Sequence, residues 1–353
     1  MALESRILDG LHGVVEKVSV PSFSRAVRYH EHGEPGTVLK LEEVPVPGIG
    51  AGEVLVEMQA ATIHPSDIGL INGSYGRLRQ LPAVGGREGV GKVISVGSGV
   101  DEGILQRPVA MPDDQGAWQD YVKMPADDLI LLPALVPCDQ LALSIINPLT
   151  AWRLLNDFEY LKEDDFIIQN AGNSAVGLSV VQFAKKLGLT LISLVRNEER
   201  KSEMIDFGAQ EVWLDDDDVP EKAKELTAGK GCVLGLNSVG GRSALRVARS
   251  LGEGGVHVTF GAMDGTSVRF PTRSLIFDDI RFVGFWLDRW KRKQSPASLR
   301  NAVEEVLQPL ALTEIRHPVD KVFELDEFDL ALARNAESRM GKVLLVRRKD
   351  SAG

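Results

Sequence analysis

The chain has 353 residues, 44% of them hydrophobic and 25% charged, which is ordinary for a globular protein of about two domains. Its net charge of −10 at pH 7 argues against nucleic acid as a partner, and no stretch approaches the roughly 18 apolar residues of a membrane span. Two cysteines make neither a disulfide framework nor a zinc cluster. We therefore expect a cytoplasmic protein that binds neither nucleic acid nor a membrane.

Residues 1–23 form an N-terminal extension that fits no predicted element. Its apolar residues recur at helical spacing, so the segment either covers a groove or stays loose: Ile7, Leu11, Val14 and Val18. Glu4 and Asp9 do not fit a secretory signal or an acid-poor transit peptide, which agrees with a cytoplasmic location.

Residues 25–132 contain short apolar runs separated by turns. Several of these runs alternate as half-buried strands do, and we predict strands at 26–29, 52–58, 89–97, 119–123 and 129–132. They indicate a β-rich domain with a bent sheet. Residues 137–155 then predict one helix, which contains Asn147 and Thr150.

Residues 165–187 have the pattern of a strand, a turn of small residues and a helix. The apolar run 166–168 suits a strand that is buried on both faces. Gly172, Ser174 and Gly177 occupy the three small positions of a dinucleotide-binding turn, although Ser174 replaces the usual middle glycine. A helix start presents unpaired N–H groups and the positive end of its dipole, so the turn is suited to bind a phosphate.

The next predicted strand, 191–195, ends at a charged residue that bears on the choice of cofactor. Proteins that bind NAD usually place an acid there for the ribose hydroxyls, whereas this chain has Arg196, with Arg200 nearby. A guanidinium matches the 2′-phosphate of NADP. The sequence thus predicts NADPH as the cofactor; the alternative is a buried strand–helix turn followed by a solvated surface arginine.

Four more predicted strands alternate with helices, at 212–214, 232–237, 255–260 and 281–286. With the two strands above, they predict an α/β fold with a doubly wound parallel (Rossmann) sheet. The acidic run 215–218 is predicted to be a solvated loop. We expect residues 315–346 to rejoin the β-rich domain, so that 1–150 with 293–353 form one domain and 151–292 form the NADP-binding domain.

This order of domains resembles the medium-chain dehydrogenase/reductase superfamily, from about residue 25 to residue 346. The resemblance implies a GroES-like fold for the β-rich catalytic domain. Zinc-dependent members carry a Gly-His-Glu segment that supplies a catalytic metal ligand, where this chain has Gly86-Arg87-Glu88. Arginine cannot ligate zinc, and the cysteine-rich structural zinc lobe is missing. We therefore expect hydride chemistry without a metal.

Within that superfamily, five segments resemble the NADPH-dependent 2-enoyl thioester reductases of fatty acid synthesis: 66–76, 146–152, 170–177, 194–196 and 276–290. The Gly-Phe-Trp-Leu run at 284–287 is the most specific part. The resemblance implies NADPH-dependent reduction of the 2,3 double bond of trans-2-enoyl thioesters of coenzyme A or acyl carrier protein. It also implies that Tyr75 is the catalytic tyrosine.

The family's cofactor contacts fall on several parts of the chain. They are Asn147, Asn173, Ser174, Ala175, Val176, Arg196, Asn197, Glu198, Phe260, Gly261, Ala262, Met263, Phe285, Trp286, Leu287 and Lys342. Gly172 and Gly177 are predicted to bind the cofactor as small residues of the dinucleotide-binding turn. Thr150 joins them because it lies with Asn147 at the expected domain junction. Both residues have an alternative role as helix caps, since Asn before Pro often starts a helix. Gly172 and Ala175 replace the Ser and Gly expected in the family's turn, and both are small.

Tyr75 lies in a turn, 72–76, whose flanking glycines let the ring swing into a cleft. A phenol with a pKa of about 10 can donate a hydrogen bond to the thioester oxygen, where negative charge grows in the transition state. Tyr75 would stabilise the enolate, supply the proton for the α-carbon, or both; the alternative is a tyrosine that packs over its own loop. His64 is a second candidate for acid–base work, and His257 is predicted to be a buried core histidine.

Two further features concern partners. The basic run from Arg289 to Lys293 is either a solvated face or a dock for the phosphates of coenzyme A or for an acidic carrier protein. The sixth strand of the parallel sheet is expected at an edge, and pairing of two such edges predicts a homodimer. The rival functions are a zinc-free NADPH-dependent quinone oxidoreductase and a non-catalytic NADP-binding protein.

Overall fold

The structure is a computed structural model that describes residues 20–111, 115–265, 267 and 271–347. The amphipathic pattern predicted between Ile7 and Val18 lies outside these residues. No helix in the described part of the chain combines the length and the apolar character that crossing a membrane requires.

Fifteen strands are found among the described residues. They are β1 Phe23–Tyr29, β2 Lys40–Pro45, β3 Glu53–Thr62, β4 Ala83–Val84, β5 Gly89–Val96, β6 Pro108–Ala110, β7 Tyr121–Pro125, β8 Phe166–Gln169, β9 Thr190–Val195, β10 Glu211–Leu214, β11 Cys232–Asn237, β12 Leu251–Thr259, β13 Arg281–Gly284, β14 Val319–Glu324 and β15 Lys342–Val346.

The helices of the same residues alternate with the strands of the second half. They are α1 Pro35–Val38, α2 Pro65–Ile71, α3 Cys138–Leu141, α4 Ile146–Asn156, α5 Ala175–Lys186, α6 Glu198–Phe207, α7 Val219–Leu226, α8 Gly241–Arg249, α9 Thr272–Phe277, α10 Leu287–Arg292, α11 Pro296–Ala311 and α12 Phe328–Ala336. Three short 3₁₀ helices lie at Glu102–Ile104, Ala126–Asp128 and Leu325–Glu327.

The β-rich part contains two sheets, and the C-terminal tail completes one of them. Its strand order is β14-β15-β3-β5-β6, with β7 also paired to β3, and a smaller sheet has the order β2-β1-β4. Strand β15 runs antiparallel to β3, with Leu345 opposite Ala61. The prediction that residues 315–346 rejoin the β-rich domain is therefore confirmed.

The second large sheet has six strands in the order β10-β9-β8-β11-β12-β13, and every neighbouring pair is parallel. The chain order reverses between β8 and β11, and a crevice forms outside the carboxyl ends of strands at such a point. Consecutive residues Ile167 and Ile168 are fully buried in two different apolar clusters, one with Phe183 of α5 and one with Val247 of α8. Helices thus cover both faces, and the predicted doubly wound sheet is confirmed.

The single helix predicted for 137–155 is wrong. The segment forms α3 and α4, with a break between them. The break arises because the carboxylate of Glu88 accepts hydrogen bonds from the backbone N–H groups of Ile145 and Ile146, both at 2.8 Å, and so fixes the start of α4.

Three smaller predictions also need correction. Residues 129–132 form no strand, and only a bridge joins Leu131 to Val109. Strand β13 ends at Gly284 rather than at residue 286. The acidic run 215–218 is not simply solvated, because Arg246 pairs with Asp215 at 3.0 Å and with Asp217 at 2.9 Å.

Candidate active site

The turn between β8 and α5 is packed so closely that its glycines are structurally required. A Cβ added to Gly177 would lie 2.4 Å from the carbonyl oxygen of Gly172, and one added to Gly172 would lie 2.9 Å from Cβ of Ser193. Ala171 has φ +47°, and the side chain of Ser174 caps α5 by accepting from the N–H of Gly177 at 3.1 Å. The small residues therefore bring the backbone of the turn down onto β9.

A cleft of about 670 Å³ opens at this turn. Its wall combines the start of α5, the ends of β9 and β12, and the segment between α12 and β15. It is lined by Pro65, Asn147, Ala171, Asn173, Ser174, Ala175, Val176, Leu194, Val195, Arg196, Asp215, Val239, Phe260, Met263, Asp264, Asn335, Ala336, Glu337, Ser338, Arg339, Gly341 and Lys342. The first turn of a helix leaves N–H groups without intrahelical partners, so this end of α5 suits a phosphate.

Arg196 follows directly after β9, is exposed, and lines the cleft. Within the described part of the chain it makes no hydrogen bond or ion pair. Arg200 differs, because it is buried and pairs with Glu199 at 3.0 Å and with Glu203. The cleft lining thus contains two guanidinium groups. That of Arg196 has no partner among the described residues, whereas that of Arg339 donates to the side chain and the carbonyl of Asn335.

A buried polar chain lies beneath the cleft. Nζ of Lys342 donates to the carbonyl of Ile63 and lies 3.4 Å from Nδ1 of His64, whose Nε2 lies 2.7 Å from Oε2 of Glu88. The ionised carboxylate accepts, so Nε2 of His64 carries the proton of that bond. Burial lowers the pKa of Lys342 to about 8 and also lowers the pKa of His64, where the nearby Lys342 adds to the effect.

Glu88 is the acceptor of this chain and remains ionised. Burial alone would raise the pKa of its carboxyl group, but the hydrogen bond from His64 and those from the backbone at Ile145 and Ile146 hold it below the ordinary value. The carboxylate therefore both orients His64 and caps α4. His257 is separate: it is fully buried on β12, with Nε2 3.2 Å from the carbonyl oxygen of Ala244, and the prediction of a core histidine is confirmed.

The hydroxyl of Tyr75 accepts hydrogen bonds from two donors, one 12 and one 211 positions away in the chain. Arg87 donates to it from Nη1 at 2.9 Å, and Trp286 donates from Nε1 at 2.9 Å. Since the oxygen accepts both bonds, its own proton is used in neither. Burial raises the pKa of Tyr75, while the charge of Arg87 opposes that shift. The structure therefore presents a neutral phenol with a proton to donate.

Trp286 also relates Tyr75 to the cleft. The backbone N–H of Phe285 donates to the carbonyl of Thr259 at 2.9 Å, which places the end of β13 beside the end of β12 and beside Phe260 in the cleft wall. The Trp286 ring meets that of Tyr75 edge-on, with centroids 5.8 Å apart. A Cβ on Gly76 would lie 3.1 Å from the Trp286 ring, so this glycine permits the approach.

Nine of the twenty predicted site residues line the cleft: Asn147, Asn173, Ser174, Ala175, Val176, Arg196, Phe260, Met263 and Lys342. The others lie outside its lining, namely Tyr75, Thr150, Gly172, Gly177, Asn197, Glu198, Gly261, Ala262, Phe285, Trp286 and Leu287. Of these, Asn197 caps α6, Glu198 is its first residue, and Phe285 packs edge-on against Phe158.

The capping role considered for Asn147 and Thr150 is wrong. The N-cap position of α4 is Ile145, Asn147 is the second helical residue, and the hydroxyl of Thr150 donates to the carbonyl of Ile146 at 2.7 Å. Arg87 and Asp288 also belong to the tyrosine site, and neither was predicted from the sequence to do so. No local pattern connects them, since 201 positions separate the two residues.

Comparison with known proteins agrees with this geometry. Residues 50–134 match the model of the alcohol dehydrogenase GroES-like domain, and residues 175–307 match that of the zinc-binding dehydrogenases. The enoyl-[acyl-carrier-protein] reductase, mitochondrial, of Bos taurus is 36% identical over 324 residues, which cover 90% of this chain and 87% of that protein.

Solved structures give the same result. Etr1p in complex with NADP and crotonyl-CoA is 26% identical, with a TM-score of 0.83 and coverage of 92% of this chain and 99% of that one. A Bacillus thuringiensis protein described as a candidate NADPH:quinone reductase is 29% identical, with a TM-score of 0.85 and coverage of 94% and 100%. The chain belongs to the medium-chain dehydrogenase/reductase superfamily and, within it, to the family of the mitochondrial enoyl-[acyl-carrier-protein] reductases.

Proposed function

We propose that this protein reduces the 2,3 double bond of trans-2-enoyl thioesters with NADPH. The observation that carries the proposal is the hydroxyl of Tyr75, which accepts from Arg87 and Trp286 and so keeps its own proton for a substrate oxygen. Membership in a family whose named members reduce enoyl thioesters supports the same reaction.

The residues of the cleft fit NADPH. The start of α5, with Ala175 and Val176 in the lining, would hold the pyrophosphate, and Arg196 would hold the 2′-phosphate. Asn147 and Lys342, which line the same cleft, would contact the nicotinamide end. When bound, NADPH supplies the hydride that the β-carbon of the enoyl group accepts.

Tyr75 performs the part of the reaction that falls to the protein. As the β-carbon is reduced, negative charge grows on the thioester oxygen, and a donor held at that point lowers the barrier. Burial raises the pKa of Tyr75, which keeps the phenol protonated at neutral pH. The hydroxyl thus stabilises the enolate, and it can supply the proton that the α-carbon takes.

A second candidate is quinone reduction, which the similarity to the Bacillus thuringiensis protein favours. Oxidation of NADPH by the purified protein, measured with crotonyl-CoA and with a benzoquinone, separates the two. Quenching of tryptophan fluorescence by NADPH serves as the binding control. We expect turnover with crotonyl-CoA; turnover with the quinone alone supports the second candidate, and binding without turnover supports the non-catalytic alternative.

The carrier of the acyl group is part of the proposal. Helix α10 presents Arg289 and Arg292, both exposed, and the guanidinium of Arg292 lies 4.9 Å from the ring of Trp286, beside Tyr75. This cationic rim fits the phosphates of coenzyme A or an acidic carrier protein. Changing Arg289 and Lys293 to Gln should raise KM for crotonyl-CoA at low salt and not at high salt. An unchanged KM at low salt would show that α10 is a solvated face and does not bind the carrier of the acyl group.

We also propose a homodimer. Strand β13 lies at the edge of the six-stranded sheet, and Ile276 and Phe277 of the preceding α9 are each 68% exposed. An open strand edge beside apolar side chains is suited to a second copy of the chain. Light scattering should give the mass of two chains, and the mass of one would contradict this.

The cytoplasmic location stays a proposal, since the bovine relative is named as mitochondrial; imaging of the tagged full chain would decide it.

A further inference from the structure

The backbone next to Arg87 is fixed by packing and by hydrogen bonds. Gly86 has φ +82°, and a Cβ there would lie 2.4 Å from the ring of Trp118, which is fully buried. Arg79 donates to the carbonyls of Val84 at 2.6 Å and Gly86 at 2.8 Å. The segment before β5 therefore has little freedom, and the direction of the Arg87 side chain is set by the fold.

The guanidinium of Arg87 joins two parts of the molecule. It is 5% exposed, donates to the Tyr75 hydroxyl from Nη1 at 2.9 Å, and donates to Oδ1 of Asp288 from Nη2 at 2.5 Å. Tyr75 belongs to the β-rich part, whereas Asp288 is the second residue of α10, which follows the last strand of the parallel sheet. One rigid fork thus links the tyrosine to the other sheet.

The charges of Arg87 and Asp288 have opposite effects on the pKa of Tyr75. Burial raises the pKa of Tyr75 most, the positive charge of Arg87 lowers it, and the negative charge of Asp288 raises it. An unpaired guanidinium would favour the tyrosinate, which has no proton to donate. With Asp288 beside it, Arg87 can orient the oxygen while the phenol stays neutral.

We propose that Arg87 and Asp288 are positioning residues for Tyr75. Arg87 fixes the oxygen so that the hydroxyl proton faces the substrate, and Asp288 fixes Arg87. Because Asp288 lies on α10, the alignment depends on how the two sheets sit against each other. The inference rests on the proposed function of Tyr75 as the donor to the thioester oxygen.

The test combines Arg87→Gln and Asp288→Asn with Tyr75→Phe. In the wild-type background, Arg87→Gln should lower kcat for crotonyl-CoA about 10-fold, the effect of one charged hydrogen bond, with NADPH affinity unchanged. In the Tyr75→Phe background it should cost nothing further, because no hydroxyl remains to be oriented. An equal loss in both backgrounds, or no loss in either, would overturn the proposal.

Arg153→Gln is the matched control for loosening of α10. Arg153 also reaches this helix, with its guanidinium 5.4 Å from the ring of Trp290, and it pairs with Asp157 at 3.5 Å, but it does not contact Tyr75. We expect Arg153→Gln to have the same effect on kcat in the wild-type and the Tyr75→Phe backgrounds. If Arg87→Gln fails to fold, Arg87→Lys keeps the charge and loses the fork, and it should give the same dependence with a smaller loss.

A titration gives a readout that does not need turnover. The chain has four tyrosines, so the absorbance of tyrosinate in each variant, minus that of its Tyr75→Phe counterpart, reports Tyr75. Arg87→Gln should raise the pKa of Tyr75 and Asp288→Asn should lower it. If neither variant changes the pKa of Tyr75, Arg87 and Asp288 do not position its hydroxyl. If the wild type does not reduce crotonyl-CoA, the proposed function fails, and this titration still decides the role of Arg87 and Asp288.

Discussion

The 171–177 turn and the tyrosine cluster, composed of Tyr75, Arg87, Trp286 and Asp288, serve the same proposed reaction and are built differently. The turn is made of backbone: its only side-chain cap is that of Ser174, and its packing leaves no room for a Cβ at residue 177. The cluster is made of side chains from three segments of the chain: Arg87 and Trp286 donate to the Tyr75 hydroxyl, and Asp288 accepts from Arg87.

This difference predicts how each region fails. A backbone site tolerates changes of charge nearby but not the addition of atoms, because its groups cannot move independently. A side-chain site tolerates small shifts of the backbone but not the loss of a donor, because each polar atom has a named partner. Substitutions at the two regions should therefore separate stability and cofactor affinity from the chemical step.

The largest effect is expected for Gly177→Ala. The added Cβ would lie 2.4 Å from the carbonyl oxygen of Gly172, a backbone atom that cannot move aside without shifting the turn. We expect the free energy of unfolding to fall by about 3 kcal/mol, the upper part of the range for overpacking, and NADPH affinity to fall with it. Urea unfolding and fluorescence titration measure the two quantities.

Gly48→Ala is the matched control, because a Cβ there meets nothing within 4 Å. Its free energy of unfolding should change by less than about 0.5 kcal/mol. Equal stability of the two variants would show that the Gly172 carbonyl does not limit the turn.

Tyr75→Phe should affect the chemical step and leave cofactor binding intact. It removes the proposed donor to the thioester oxygen, and loss of such a donor lowers kcat about 100-fold. NADPH affinity should stay unchanged, since Tyr75 does not line the cleft. Steady-state rates with crotonyl-CoA and NADPH titrations measure both.

Tyr121→Phe is the control for the loss of a tyrosine hydroxyl held by an arginine. The Tyr121 hydroxyl accepts from Arg347 at 2.9 Å, away from the site. Its kcat should match that of the wild type. If both tyrosine variants keep full turnover, Tyr75 has no part in the reaction.

Arg196→Leu should change the preference between cofactors. We expect NADPH affinity to fall about 30-fold, as for the loss of a charged hydrogen-bond pair, and NADH affinity to stay the same because NADH has no 2′-phosphate. In Arg200→Leu the partners Glu199 and Glu203 lose their cation, so stability should fall without a change of preference. Equal losses for NADPH and NADH in Arg196→Leu would place the 2′-phosphate elsewhere.

The sequence was informative where the structure is local. The strand, the small-residue turn and the helix lie within 165–187, and Arg196 comes one residue after β9, so their arrangement follows from spacing along the chain. The strands of the six-stranded sheet were predicted for the same reason, since each strand carries its own apolar pattern. The domain boundaries at 150 and 292 stay a prediction.

The parts that were missed depend on contacts between distant segments. Glu88 splits the predicted helix at Ile145 from 57 positions away, and Arg87 reaches Asp288 across 201 positions. Neither contact leaves a pattern in one sequence, because a carboxylate cap or a guanidinium fork has no fixed spacing. Arg87 was noticed only as a residue that cannot ligate zinc, and its role at Tyr75 required coordinates.

A smaller effect, in the pH dependence of stability, also separates the two regions. The turn from Ala171 to Gly177 has no titratable side chain, whereas Lys342 in the cleft wall is buried and its pKa is lowered from 10.5 to about 8. Below about pH 8 the lysine is protonated in both the folded and the unfolded chain. Between about pH 8 and 10.5 the unfolded chain binds more protons, so the contribution of Lys342 to the free energy of unfolding rises with pH.

Lys342→Met isolates this contribution. It also leaves the carbonyl of Ile63 without its donor, but that loss does not depend on pH. Denaturant titrations of both proteins at several pH values give the free energy of unfolding. Within that window, the value for the wild type should rise relative to that for the variant by about 1 kcal/mol per pH unit. The free energy of unfolding of Gly177→Ala should lie below that of the wild type by the same amount at every pH, because no titratable group is changed. A constant difference between wild type and Lys342→Met would mean that the buried lysine keeps its proton throughout, with His64 and Glu88 stabilising the charge.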